Sequence, residues 1–213
     1  MGQKTNAVGF RLQVTKDWPS RWFSDPRTYA DQALKDIRIR RFLDQELRGS
    51  GLVRIDIERT GNDLNINLHV TRPGLVIGRA GERITRIKEG LKKFLENENL
   101  NLNVFQVKKS QLSARLLAEE IAQQLERRLP YKRVISRIMK RVQESGHVEG
   151  MLVAVSGRLN GVRIARTEKR HFGSIPLQTI DAVIDYAQTA ARTKYGLVGV
   201  KVWLHKKKED QYA

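Results

Sequence analysis

Between Leu64 and Val104 the apolar residues change their period twice, and a Gly-x-x-Gly stands at the first change. Leu64, Ile66, Leu68 and Val70 alternate with polar residues, which makes one face of a half-buried strand. Val53, Ile55 and Ile57 alternate in the same way just before them. Gly61-Asn62-Asp63 turns the chain between the two runs, which predicts a hairpin. After Arg72-Pro73-Gly74 comes a short apolar run, Leu75-Val76-Ile77, and then Gly78-Arg79-Ala80-Gly81. From there Ile84, Ile87, Leu91, Phe94 and Leu95 recur at helical spacing. Leu100, Leu102 and Val104 return to period two. Upstream, Asp25-Pro26 offers a cap and a first-turn proline. A helix follows, with a break expected near Asp36, and stops at Gly49-Ser50-Gly51. The predicted order is α-β-β-α-(Gly-x-x-Gly)-α-β.

Two glycines separated by two residues can make a tight turn that exposes consecutive backbone N–H groups. The next helix is expected to start at Glu82, so its positive dipole end faces the same spot. Turn and helix end together form a seat for a phosphate, and Arg79 adds a cation. A helix-loop-helix turn can also need glycine for packing alone. The position between two helices in this order is that of a KH RNA-binding domain of the second topology, whose loop clamps a nucleic-acid backbone. Gly78, Arg79, Ala80 and Gly81 are therefore the first candidate RNA-binding residues.

The second half has a different pattern. Leu117, Ile121 and Leu125 share one face of a helix expected from about Ser113 to Leu129, and Pro130 breaks it. A second helix is expected from Tyr131 to Ser145, with Val134, Ile135, Ile138, Met139 and Val142 inward and Gly146 closing it. Its other face carries Lys132, Arg133, Arg137, Lys140 and Arg141, interrupted only by Glu144. A solvated helix face normally mixes signs, so this stripe reads as a grip on phosphates. Leu152 to Thr167 is a strand pair around Leu159-Asn160-Gly161, where Asn-Gly signals a hairpin. Arg158, Arg163 and Arg166 are candidate RNA contacts there, with Lys169 and Arg170 after them. In a regular strand Arg163 and Arg166 would face opposite ways. Ile175 to Tyr195 is ambiguous between helix and strand. Val198, Val200, Val202 and Leu204 form a last strand. The fold class is α+β, in two parts. Residues 1–16 are a basic arm bearing Lys4, Arg11 and Lys16. Residues 17–107 are the KH-type domain, 108–206 a domain of two helices on a sheet, and 207–213 a polar tail. The seam falls at Val107-Lys108-Lys109-Ser110. Trp18, Trp22, Phe23 and Tyr29 are expected to form a satellite core that pins the arm, and Trp203 to be core.

Charge narrows the function. Of 213 residues, 40 are Lys or Arg and 23 Asp or Glu, a net charge of +17. Both halves are basic, +6 up to Val107 and +11 beyond. With 40% hydrophobic residues the chain can pack a core, so the excess calls for a polyanion rather than reflecting disorder. No apolar run approaches the ~20 residues of a spanning helix. Residues 1–15 lack a signal-peptide core, and Asn6 breaks a myristoylation pattern. Nucleic acid is left as the partner, and no membrane is expected. There are no cysteines, which removes disulfides, zinc knuckles and thiol catalysis. The four histidines are scattered, with no metal-ligand spacing. Asp181 and Asp185 would lie one turn apart only if that stretch were helical. No catalytic residue, metal or cofactor is expected.

Several segments, taken in order, resemble one family. They are Met1-Gly2-Gln3-Lys4, Gly9-Phe10-Arg11-Leu12, Val76-Ile77-Gly78 through Gly81-Glu82, Gln124-Leu125-Glu126-Arg127-Arg128, Ser156-Gly157-Arg158-Leu159, Ile164-Ala165-Arg166-Thr167-Glu168, and Tyr195-Gly196-x-x-Gly199-Val200-Lys201-Val202-Trp203. The chain is similar over nearly its whole length to ribosomal protein three of the small subunit of bacteria and organelles. The resemblance implies a KH domain followed by an α/β domain, with Asp181 to Tyr186 as a strand. It implies binding to small-subunit ribosomal RNA in the head of the subunit, and neighbours numbered ten and fourteen. It also implies a place lining the channel through which mRNA enters, with help in unwinding mRNA. The location would be the cytoplasm, or a plastid stroma if the chain is organellar. The family's unwinding residues fall on Lys132 and Arg133. Ser136 stands where the third is usually lysine, and Arg137 follows it. The glycine loop has one cation, Arg79, where many relatives have two. The alternative to a ribosomal role is a free KH-type RNA-binding regulator.

Overall fold

The computed structural model describes residues 4–95, 99–107 and 113–207. The Met1-Gly2-Gln3 opening, the seam residues 108–110 and the tail from 208 lie outside them. The chain divides into two compact units, residues 18–108 and residues 1–17 with 109–213. Among the described residues no helix is long and apolar enough to cross a membrane.

The first unit follows the predicted order. A short strand β1 (Ser20–Arg21) precedes helix α1 (Pro26–Glu46), strands β2 (Leu52–Thr60) and β3 (Asp63–Val70), helices α2 (Pro73–Ile77) and α3 (Glu82–Lys92), and strand β4 (Asn99–Gln106). The sheet order is β1-β2-β3-β4. β2 and β3 form the hairpin, with Ile57 opposite Ile66, while β1 and β4 join their neighbours in parallel. Leu64, Ile66, Leu68 and Val70 are all buried, as are Ile39 and Leu43 of α1 and Ile87 and Leu91 of α3. Helices therefore cover one sheet face. The other carries a polar ladder in which Asn101 and Asn103 donate to Asn65 and Asn67. The hairpin departs from simple alternation at its start. A register shift between Leu52 and Arg54 puts Leu52 in the core and leaves Val53 half-buried, as an extra residue in one strand must.

Helix α1 does not break at Asp36. The low helix propensity of one aspartate costs only about 0.7 kcal/mol. Asp36 is buried and accepts hydrogen bonds from Ser20 Oγ (3.2 Å), Trp22 Nε1 (2.9 Å) and Arg59 Nη2 (2.8 Å). Those contacts tie β1 and β2 to the helix. Pro26 takes the first turn, while Asp25 caps by position without a side-chain hydrogen bond.

The second unit packs α4 (Ala114–Glu126) and α5 (Tyr131–Glu144) on an antiparallel sheet. The sheet consists of β5 (Val148–Gly157), β6 (Arg166–Gly173), β7 (Ile184–Thr193) and β8 (Gly196–Lys206) in the order β6-β5-β8-β7. Leu117, Ile121, Val134, Ile135, Ile138 and Val142 meet Met151, Val153, Val155, Val198, Val200, Val202 and Leu204 in one core. The ambiguous stretch resolves into strand from Ile184, with Asp181 in the turn before it. Asp181 and Asp185 thus do not pair on a helix. Asp185 accepts from the Ala114 N–H at the start of α4 (3.0 Å) and faces Lys16 Nζ (3.3 Å). The Asn160-Gly161 signal is also placed differently. Both residues have positive φ, but they lie inside an eight-residue connection, since β5 ends at Gly157 and β6 starts at Arg166.

The first seventeen residues group with this second unit, whereas the Trp18, Trp22, Phe23 and Tyr29 cluster belongs to the first. Trp22 and Tyr29 pair at 5.3 Å, whereas Phe23 is 91% exposed. Arg11 does the holding. It is fully buried, and its guanidinium donates to the carbonyls of Ala182 (2.8 Å), Ala7 (3.1 Å) and Thr179 (2.6 Å), with those of Pro176 and Leu177 also in reach. Ala7, Ala182 and Ile184 form a small core beside it, with Trp203 half-buried against them. Of the basic arm, Arg11 and Lys16 are engaged within the unit, and Lys4 is exposed.

Candidate nucleic-acid interface

The glycine turn lies on the surface of its unit. α2 ends at Ile77, a single 3₁₀ turn spans Arg79–Gly81, and α3 begins at Glu82. Arg79 and Ala80 are exposed, and the two glycines half-buried. The two glycines are not equivalent. Gly78 has φ 75° and ψ −176°, a region that side chains do not tolerate, and a Cβ there would stand 2.8 Å from Arg83 Cβ. Gly81 is left-handed with open space around it, the nearest atom being Ile84 Cγ2 at 3.9 Å. Ala80 is also left-handed, at φ 48°. No side chain caps α3; its Glu82 N–H already donates to Arg79 O, and the next N–H groups of its first turn are left facing the turn. Their partial positive charge, with Arg79, suits a phosphate. Glu82 offsets part of that field.

Arg83 braces the turn and was not singled out by sequence. Its guanidinium donates to Leu75 O (2.8 Å) and Glu46 O (2.7 Å), linking α3 to α2 and to the end of α1. A lone arginine in a basic helix gives no signal of that role. Replacing Gly78 with alanine is expected to cost about 1–3 kcal/mol through the forbidden backbone and to weaken RNA binding. Gly81→Asn should be nearly neutral in stability, since asparagine tolerates the left-handed region. Urea unfolding and RNA filter binding check this; equal costs at both positions would contradict it.

The stripe on α5 is present with one exception. Tyr131, Val134, Ile135, Ile138 and Val142 are buried, and Lys132, Arg133, Arg137 and Lys140 are exposed on the opposite side. Lys132, Arg133 and Arg137 have no acidic partner among the described residues. Lys140 lies 3.8 Å from Glu144, a pair 80% and 64% exposed, which is worth little. Arg141 corrects the expectation for the stripe. It reaches across to α4 and grips Glu120 through both terminal nitrogens, Nη1 at 3.0 Å and Nη2 closer still. That hydrogen bonding raises its pKa. Its charge is neutralised within the fold, and it braces the helix pair instead of facing a ligand.

The third group is more dispersed. Arg158 Nε donates to Val162 O (3.0 Å) and its guanidinium lies 5.5 Å from the centre of the Tyr195 ring, so it also props its own loop. Arg163 is exposed in the connection, where strand parity does not apply. Arg166 is exposed at the first residue of β6, opposite Gly157. Tyr195, which sequence reading placed only within a motif, is flanked by cations, with Lys194 Nζ 4.8 Å from its ring centre. Among the described residues there is no His, Asp and Glu group that could hold a metal.

Comparison with known proteins covers both units. A KH domain model matches residues 38–112, and a model described as Ribosomal protein S3, C-terminal domain, matches residues 121–204. The chain is 42% identical over 206 residues to a protein of Clostridium novyi (strain NT) named Small ribosomal subunit protein uS3, covering 97% of this chain and 93% of the relative. Relatives of the same name from Clostridium perfringens (strain SM101 / Type A) and Clostridium acetobutylicum are also 42% identical, each over 96% of this chain and 92% of their own length.

Proposed function

Because the chain belongs to the small ribosomal subunit protein uS3 family, we propose that its α5 face lines the channel through which mRNA enters the ribosome. A member of that family is a ribosomal RNA-binding structural component of the small subunit and not an enzyme. Its partners are small-subunit ribosomal RNA and other ribosomal proteins.

The finer reading has two parts. The glycine turn Gly78-Arg79-Ala80-Gly81 and the loop arginines Arg158, Arg163 and Arg166 hold RNA backbone. Lys132, Arg133, Arg137 and Lys140 position the incoming mRNA and assist its unwinding. The observation that carries this is the exposed cation row on α5 with its acid-free members. Exposed, unneutralised cations on a rigid helix attract phosphates without reading bases. Each contact in the row displaces a condensed counterion, which supplies affinity for strand and duplex alike, and the row assists unwinding by holding the phosphates of the strand that melting releases. Neighbours ten and fourteen, and a cytoplasmic location, complete the proposal.

Replacing Lys132, Arg133 and Arg137 together with alanine is expected to leave small subunits assembled, because none of the three is buried. Translation through a stable mRNA hairpin should slow several-fold, while unstructured messages are read at the usual rate. A reconstituted elongation assay checks this. An unchanged rate through the hairpin would reject the assignment of α5.

A further inference from the structure

The basic face of α5 has an uncharged centre. Ser136 lies one helical turn from both Lys132 and Lys140 and beside Arg133 and Arg137, and it is exposed. Strand β6 brings a cation to that point. Arg170 Nη1 donates to Ser136 Oγ at 3.1 Å. Strand register produces the approach. Arg170 stands opposite Val153 and Phe172 opposite Met151. Both β5 residues are fully buried beneath the helices, so Arg170 and Phe172 share the helix-facing side of an edge strand. Phe172 packs on the core, and Arg170, two residues before it, emerges at the rim.

Between α5 and β6 runs a groove of about 500 Å³. Met139 and Phe172 supply apolar surface, and Lys140, Gln143 and Arg170 supply polar groups. No carboxylate lines it. The contrast with Arg141 decides what Arg170 can do. Glu120 cancels the charge of Arg141, whereas a serine hydroxyl orients Arg170 without neutralising it. An oriented guanidinium with its charge intact loses little freedom when it binds a phosphate. Cations along an apolar groove match a single nucleic-acid strand.

We propose that Arg170, steered by Ser136, completes the cationic surface of α5, so that α5 and β6 together form one seat for the ribose-phosphate backbone of single-stranded RNA. The seat rests on the reading of α5 as a helix that faces mRNA.

The test uses the full-length protein and an oligouridylate over a series of KCl concentrations. Arg170→Ala should weaken binding and reduce the slope of log Kobs against log salt by about 0.7, the loss of one contact to a single strand. Adding Ser136→Lys to Arg170→Ala should restore both, because it returns a charge to the same point. The Lys132, Arg133 and Arg137 triple variant runs alongside. If the triple variant loses affinity and Arg170→Ala matches the unmodified protein, the composite seat is wrong and the α5 reading stands. If neither variant loses affinity, both are wrong. A loss in Arg170→Ala that Ser136→Lys does not restore would place the effect of Arg170 elsewhere and would also overturn the seat.

Discussion

Replacing Arg11 with alanine is expected to lower stability by about 3–5 kcal/mol, because a large, fully buried side chain is cut away and several main-chain carbonyls lose their donors. Burial alone lowers its pKa, yet the guanidinium has a carbonyl acceptor for each of its nitrogens. Its partners are main-chain groups of the 176–182 segment and of Ala7, so no mutation elsewhere can remove them. Truncation leaves several carbonyls without donors, each costing about 1–3 kcal/mol unless water replaces the arginine. Arg11→Met would restore volume and not the donors. Arg11→Lys would keep the charge on a group that cannot fork, and should lie between. Urea unfolding of the full chain measures the change. Limited proteolysis should at the same time show new cleavage within the first seventeen residues. A midpoint equal to that of the unmodified protein would show that the clamp contributes nothing.

Asp36→Ala is expected to have an effect of the same size in the other unit. The Asp36 and Arg59 side chains are only 7% and 9% exposed. Removing the carboxylate takes from Arg59 the acid it meets at 2.8 Å in a low-dielectric site, which costs up to about 3–5 kcal/mol. Ser20 and Trp22 lose their acceptor at the same time, so β1 loosens from α1. Arg40, which donates to Pro19 O (2.7 Å) and Ser20 Oγ (2.8 Å), keeps part of that attachment. Asp36→Asn preserves shape and one acceptor and should cost less than alanine. Fluorescence during urea unfolding reports on the site directly in a background where Trp18 and Trp203 are replaced by phenylalanine, leaving Trp22 as the one tryptophan. A loss below about 1 kcal/mol would mean that the ion pair only offsets its own desolvation.

These two sites also mark the limit of what the sequence shows. The hairpin, the glycine turn, the amphipathic α5 and the last strand were legible because period and turn chemistry are local properties. Arg11 reads in the sequence as part of a basic arm, because every carbonyl it holds except that of Ala7 lies more than 160 residues along the chain. Asp36 looks in the sequence like a helix break, because its acceptor role depends on β1 and β2 returning to the helix. Arg141 looks in the sequence like part of the stripe, because helical spacing places it there, while the Glu120 that claims it sits on another helix. Arg170 was visible only as one cation in a basic run. Its meeting with Ser136 follows from strand register, which no local pattern encodes. Asn160-Gly161 gave a true turn signal, and only the packing of the surrounding loop, including Tyr195 against Gly161, shows that the strands close further out.

The central claim is that the glycine turn and the α5 face grip RNA backbone. A density map of small subunits containing this chain tests it most directly. The account predicts phosphate groups within hydrogen-bonding distance of the Gly78–Gly81 turn, and mRNA beside Lys132, Arg133 and Arg137 when a message is bound. A map in which the turn meets only protein, or in which the exposed face of α5 is covered by a neighbouring subunit protein, would contradict it.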